Sequence, residues 1–502
     1  MRSLFTVVGL AGVLVACGEE DPVRDDDGDQ DVEETASPDA SYQVDGGQPQ
    51  PDAAPGTPDA SADASTDAST PVGDVSTPKG ARFFLPTNEP TNTAAPSIEL
   101  DAQGNTHMVY PKFVQGDAFY AFCPKGNCAD EDDVQVVEFD TEGTVYDAML
   151  ALTADGKPRI LLSSFAYLYY GECDSNCGVR TSWQYQQILK HDNEKEVTGE
   201  AFTLDQNGKP RFLIHTYRAL VGIGQKPAKT ELASCDAGCT SPEAWSYSTI
   251  AEPEIWYGST LRYDATGRIH VATNLYDYKT ENPSPDIGAY LSCAADCNSV
   301  AGWTNAGIGF FEPYESSSEA VSMKPQVSLA LTKQGQPRYA QIHKNKDGVK
   351  TVSYFSCNSD CTKGDSWIYA WSHSGENVHG GLDLALDAQD HPRLVHTVDY
   401  NIAISWCNDA DCATTTSKWN SSFVEQGGEI PADTIFLEWN CSIGAWFLHS
   451  PSIALDAAGD ARVGYQARDI SGGFKNPDPT KPSCVAGTDM TWSRLALSES
   501  AY

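Results

Sequence analysis

FTLDQNGKPRFLI, beginning at Phe202, contains the pattern that decides the fold. An alternating apolar stretch runs into Asp205-Gln206-Asn207-Gly208, and a second alternating stretch begins at Pro210-Arg211. Period-two alternation marks half-buried strands, and an Asx/Gly run between two of them marks a tight hairpin. The same unit recurs on both sides of Phe202. Upstream it reads SIELDAQGNTHMVY from Ser97 and LALTADGKPRILL from Leu150. Downstream it reads LRYDATGRIHVAT from Leu261, LALTKQGQPRYAQ from Leu329, LALDAQDHPRLVH from Leu384 and IALDAAGDARVGY from Ile453. Only the copy at Leu384 departs at the glycine, with Asp390 in its place.

The second half of each unit repeats as well. A strand that usually contains Tyr or Phe leads into a close cysteine pair: Cys123 with Cys128, Cys173 with Cys177, Cys235 with Cys239, Cys293 with Cys297, Cys357 with Cys361, and Cys407 with Cys412. A tryptophan follows at 183, 245, 303, 367 and 419, with none in the first unit, and Trp492 is read as its counterpart in the last. Seven units of four short strands predict an all-β chain folded as a seven-bladed β-propeller, because a small sheet alone is marginal and ring packing buries both faces of every blade. The units are too long for the rungs of a linear solenoid.

From Pro96 to about Leu497 these units resemble the BNR-type repeats of secreted bacterial propellers, a group that includes the sialidases. The resemblance implies a cysteine-clamped hairpin where those blades carry an Asp-box turn. It implies architecture and not activity, since propellers carry many unrelated functions.

The start of the chain suggests an address. Leu4 to Val15 is an apolar run too short to span a bilayer, and it ends in Leu14-Val15-Ala16-Cys17, which resembles a bacterial lipobox. The resemblance implies that 1–17 are a lipoprotein signal peptide with lipidated Cys17, and that the membrane partner is reached through this lipid. Residues 18–79 are rich in Asp, Ala, Pro, Ser and Thr and poor in large apolar side chains, so they are expected to form a disordered acidic linker. The domain is expected over 80–502. An early acidic run, Glu19-Glu20-Asp21, and the length of the linker point to an outer-membrane lipoprotein displayed at the cell surface. A formal net charge of −37 and no Lys/Arg cluster argue against nucleic acid as a partner.

Of fifteen cysteines, one is assigned to lipid, leaving an even fourteen. In an oxidising compartment six close pairs read as local disulfides, and Cys441 and Cys484 pair by elimination. Paired cysteines also ligate zinc, but only when two pairs converge, so neither metal nor cofactor is expected.

Binding residues are sought at the ends of second strands, where connections vary: His215, Tyr217, Arg218, Asn274, Tyr276, His343, His396, Tyr400 and Arg468. Aromatic rings with charged neighbours suit sugar recognition, and a His/Tyr/Arg set also suits proton transfer on an acidic polysaccharide. Arg159, Arg211, Arg338 and Arg393 recur at one repeat position and read as blade structure, not as a sialidase triad. The expected function is a surface-anchored propeller that binds a glycan or protein partner, with catalytic residues unknown. The alternatives are an exported lyase or glycoside hydrolase and a structural subunit of an envelope complex.

Overall fold

The computed structural model describes residues 80–497 except 88–91, 113–115, 126–127, 165–166, 191–194, 219–226, 252–254, 277–285, 312–326, 345–348, 375–377, 431–445 and 470–489. The expected signal peptide, Cys17 and linker lie outside the described residues, as do Cys441 and Cys484 and their pairing. Among the described residues there are seven four-stranded antiparallel sheets and no α-helix, only short 3-10 turns.

The first strand of each sheet lines the axis: Ser97–Leu100, Asp147–Leu152, Lys195–Leu204, Ile255–Tyr263, Val327–Leu331, Val378–Leu386 and Trp446–Leu455. Each packs beside the next, and the seventh packs beside the first, so the ring is closed. We number the blades 1 to 7 in this order. The architecture is the expected all-β, seven-bladed propeller.

Closure differs from the sequence expectation. Blade 7 takes Trp446–Leu455, Ala461–Asp469 and Met490–Leu497 from one end of the chain and its outermost strand, Arg82–Phe84, from the other. Arg82, Phe83 and Phe84 pair with Ala496, Leu495 and Arg494. Trp492 therefore lies on a third strand, not after a cysteine hairpin. Its indole N–H donates to the Leu85 carbonyl at 3.0 Å.

The blades are held by repeated contacts. All six close cysteine pairs are bridged as the spacing predicts. Cys173 joins Cys177, Cys235 joins Cys239, Cys293 joins Cys297 and Cys357 joins Cys361, each four residues apart. Cys123 joins Cys128 and Cys407 joins Cys412 across one residue more. The tryptophan after each of the last five bridges donates its indole N–H to the second cysteine's carbonyl, as from Trp245 to Cys239 at 2.8 Å. The acceptors in the other four are the carbonyls of Cys177, Cys297, Cys361 and Cys412. Cys128, in the one unit with no tryptophan, has no such donor to receive. Trp183, Trp245, Trp367 and Trp419 then pack on Tyr120, Tyr170, Tyr290 and Tyr354 of the preceding blade. Aromatic pairs of this kind add stability beyond the area they bury.

Antiparallel blades place the first-to-second turns and the third-to-fourth hairpins on one face of the disc, here called the turn face. The remaining connections emerge on the other, the loop-rich face. On the turn face Asp205 Oδ1 accepts from the Asn207 and Lys209 N–H groups, and Gly208 sits at φ +70°. Asp390 fills the same left-handed position at φ +65°, which a short polar side chain tolerates. The Pro-Arg arginines are structural, as read: Arg393 bonds Asp387, Asn408 and the Cys407 carbonyl. In blades 1 and 4 histidine takes that slot, with His107 and His270 set between Asp101 and Tyr120 and between Asp264 and Tyr290.

Candidate functional site

Two regions gather chemistry that the repeat does not require. The first is the axial channel, a cavity of about 710 Å³ walled by the first strands. One layer of side chains sews neighbouring blades together. Ser97 Oγ accepts from Leu150 N–H, Ser328 Oγ from Leu384 N–H and Asp383 Oδ2 from Ile453 N–H. Ser452 donates to the Pro96 carbonyl, which joins blade 7 back to blade 1. Blade 2 carries Met149 in this register and makes its link from the second strand instead, where Ser163 Oγ accepts from Gly199 N–H.

The layer towards the turn face is mostly alanine, but it holds Glu99 in blade 1 and Arg262 in blade 4. Glu99 lines the lumen and is half-buried there. Burial pushes its carboxyl up to about 7, with the charge of Asp383 adding and Arg262 opposing.

The second region lies on the loop-rich face where blades 6, 7 and 1 meet. Asp399 and Tyr400 form the turn between the second and third strands of blade 6, both with positive φ, +49° and +59°. Such a backbone suits Asn or Gly and is costly for tyrosine. The Tyr400 carbonyl accepts from Leu448 N–H, and its ring lies 4.3 Å from that of Phe447 in blade 7. Phe447 pairs in register with Arg468, which pairs with Thr491.

Beneath this row is a second one, His449, Gln466 and Ser493, on the same side of the sheet by alternation. Gly464, two residues before Gln466, abuts Pro96 and Ile98, so this side faces blade 1. Gln466 is fully buried, yet neither its amide N–H2 nor its amide oxygen has a hydrogen-bond partner, and the buried Thr491 hydroxyl also lacks one. His449 is buried with Nδ1 against Ser450 Oγ.

The structure brings Tyr400 and Arg468 to this one seam, through Phe447. His343 stands in blade 5, with Nε2 bonded to Ser353 Oγ at 2.7 Å. His396 is a correction to the sequence reading. It is wholly enclosed, bonds Ser405 Oγ at 2.9 Å and lies 5.1 Å from the His373 ring. Burial, with His373 adding, pushes its imidazole down to about 3. It is a neutral core group whose ring is already engaged by Ser405 and His373.

His215, Tyr217 and Arg218 end the second strand of blade 3, and Asn274 and Tyr276 end that of blade 4; their side chains lie outside the described residues. Counted from the turn position held by Arg211, His270 and Arg462, His215, Asn274 and Gln466 share one register, and Tyr217, Tyr276 and Arg468 share the next. Counting from that arginine would have found Gln466 in the sequence. Phe447, Thr491, Glu99 and Arg262 gave no such signal.

No family model and no curated protein matches the chain. Solved structures match in shape. A protein of unknown function from Dyadobacter fermentans is 11% identical, with a TM-score of 0.45, over 84% of this chain and 99% of that one. The polysaccharide lyase Uly1 is 9% identical, with a TM-score of 0.46, over 84% and 93%. The NanB sialidase from Streptococcus pneumoniae is 8% identical, with a TM-score of 0.35, over 83% and 70%. The fold rests on the sheet topology above, and function is argued from this chain's own residues.

Proposed function

We propose that this chain is an exported, lipid-tethered binding propeller that takes a glycan across the loop-rich face where blades 6, 7 and 1 meet. The observation that carries the reading is Tyr400, a bulky residue held at φ +59° with its ring against Phe447, beside Arg468. A costly backbone persists only where surrounding structure enforces it, and such residues cluster at sites of recognition. Half-exposed Tyr400 and Phe447 offer ring faces to the apolar side of a pyranose, while Arg468 and the polar row below offer groups for its oxygens. Strand ends and a two-residue turn hold these groups, so little ordering is needed on binding.

The test is a glycan array probed with the full chain, followed by titration of the strongest binder. Tyr400→Ala and Arg468→Ala should each weaken binding at least tenfold while Tm stays within about 2 °C. Unchanged affinity in both variants rules out this seam. The second reading, an exported lyase or glycosidase, draws on the nearness of His449 to Tyr400 and Arg468. It predicts depolymerisation of a bound polysaccharide that His449→Ala abolishes. Binding without turnover rejects it.

A further inference from the structure

The Gln466 row has identifiable neighbours on every side that the strand register and the preceding segment define. Blade 7 supplies His449, Gln466 and Ser493, with Thr491 beside them. The segment Asn92–Pro96 crosses from blade 7 to blade 1 and is pinned at both ends. Its Thr93 N–H donates to the Thr491 carbonyl, and its Ala94 N–H donates to the Pro111 carbonyl in blade 1. Asn92 Oδ1 accepts from Thr491 N–H, Thr93 Oγ1 accepts from Ser493 N–H, and the Ser493 hydroxyl donates to the Ala94 carbonyl. Every backbone group named along this strap is satisfied. The side chains beneath it are not: Gln466 leaves two amide donors and an acceptor unmet at zero exposure, and Thr491 leaves a hydroxyl unmet at 1%.

An amide sealed in this way carries its full desolvation cost, and native interiors rarely keep such a group without an occupant. The occupant must accept from one group and donate to another. A hydroxyl does both. An anion only accepts and an ammonium only donates, so neither satisfies both halves of the amide.

We propose that the slot formed by Gln466, Thr491 and Ser493 under the Asn92–Pro96 strap is a binding site for hydroxyl oxygen. Water fills it in the free protein, and a sugar hydroxyl displaces that water when a glycan lies across Tyr400, Phe447 and Arg468. The second half rests on the glycan reading above; the first half does not. Arg468 and Thr491 lie one row nearer the loop-rich face, on the same side of the sheet as Gln466, so a ring seated on the aromatic pair lies above the slot.

Gln466→Leu keeps the side chain's approximate volume and removes both polar halves. Thermal unfolding of the full chain and a crystal structure with ordered solvent are compared for wild type and variant. An occupied slot predicts an oxygen within about 3.2 Å of the Gln466 amide and the Thr491 hydroxyl. It also predicts a Tm that stays level or falls by about 2 °C in the variant, because leucine expels the bound oxygen and strands Thr491. A Tm that rises by about 2 °C, with no oxygen density in wild type, overturns the proposal, since relief of a dry unpaired amide is stabilising.

D-glucose and D-glucuronate, titrated at millimolar concentration by ligand-detected NMR, probe the second half. Displacement predicts about tenfold weaker binding of both sugars to Gln466→Leu, with Arg468→Ala weakening D-glucuronate more than D-glucose. Equal sugar affinity in wild type and Gln466→Leu overturns the displacement. Failure of both sugars to bind wild type overturns it together with the glycan reading, and the Tm and the density still decide the water site.

Discussion

The two faces of the disc solve different problems with the same strands. On the turn face one solution is used again and again: an aspartate closes the turn, an arginine or histidine reads that aspartate, and a cysteine hairpin presents a tryptophan to the blade before it. On the loop-rich face, among the described residues, the seam of blades 6, 7 and 1 holds a strained tyrosine and an unpaired buried amide. Regularity therefore marks where stability resides, and departure from it marks where the chain gives up stability for another purpose. The comparison makes opposite demands on substitutions at the two faces.

The largest effect is expected on the turn face. Trp245 packs on Tyr170 across the joint of blades 2 and 3 and on Phe212 of its own blade, and Trp245→Ala should lower stability by about 3–5 kcal/mol in denaturant unfolding. Glycan affinity should be unchanged. Next comes a matched pair of arginines. Arg393→Ala strands the buried Asp387 carboxylate and should cost about 2–3 kcal/mol with binding intact, whereas Arg468→Ala should cost binding and little stability. Equal behaviour of the two variants would erase the distinction between the faces.

The channel and the enclosed histidine predict opposite pH dependences. Glu99 has its folded pKa raised from 4.5 to about 7, so its stabilising share is whole below 4.5 and is lost as pH rises through 7. Glu99→Gln should raise Tm by about 3 °C at pH 8 and not at pH 4.5. His396 has its folded pKa lowered from 6.5 to about 3, so its share is whole above 6.5 and is lost as pH falls from there towards 3. His107, His270 and His373 are lowered as well, chiefly by burial, and add to the acid side. A melting curve that is flat in pH from 4 to 8 contradicts both.

The smallest effect sharpens the comparison most. Tyr400→Gly relieves a left-handed backbone and should add up to about 1 kcal/mol of stability, while glycan affinity falls at least tenfold. If stability falls instead, the Tyr400–Phe447 contact holds the seam and the strain is incidental.

How much of this was legible in the sequence depends on how local each feature is. Alternation, the Asp-to-Gly turn, the close cysteine pairs and the spaced tryptophans each lie within one unit. Their recurrence, seven times for the turn, six for the cysteine pair and five for the tryptophan, determined the propeller, the six disulfides and the structural role of Arg159, Arg211, Arg338 and Arg393. Features that join distant parts of the chain were decided by tertiary structure alone. Arg82–Phe84 completes blade 7 by pairing with Met490–Leu497, which is the third strand of that blade, and Trp492 consequently fills a different place from the one its spacing suggested. His396 looked like a ligand-facing residue but lies inside, since a shift of one position along a strand reverses the face a side chain occupies. Tyr400, Phe447, Gln466 and Thr491 belong to different strands and loops, and Glu99 and Arg262 to different blades. Only closure of the ring, which depends on packing between units far apart in the chain, brings each set together.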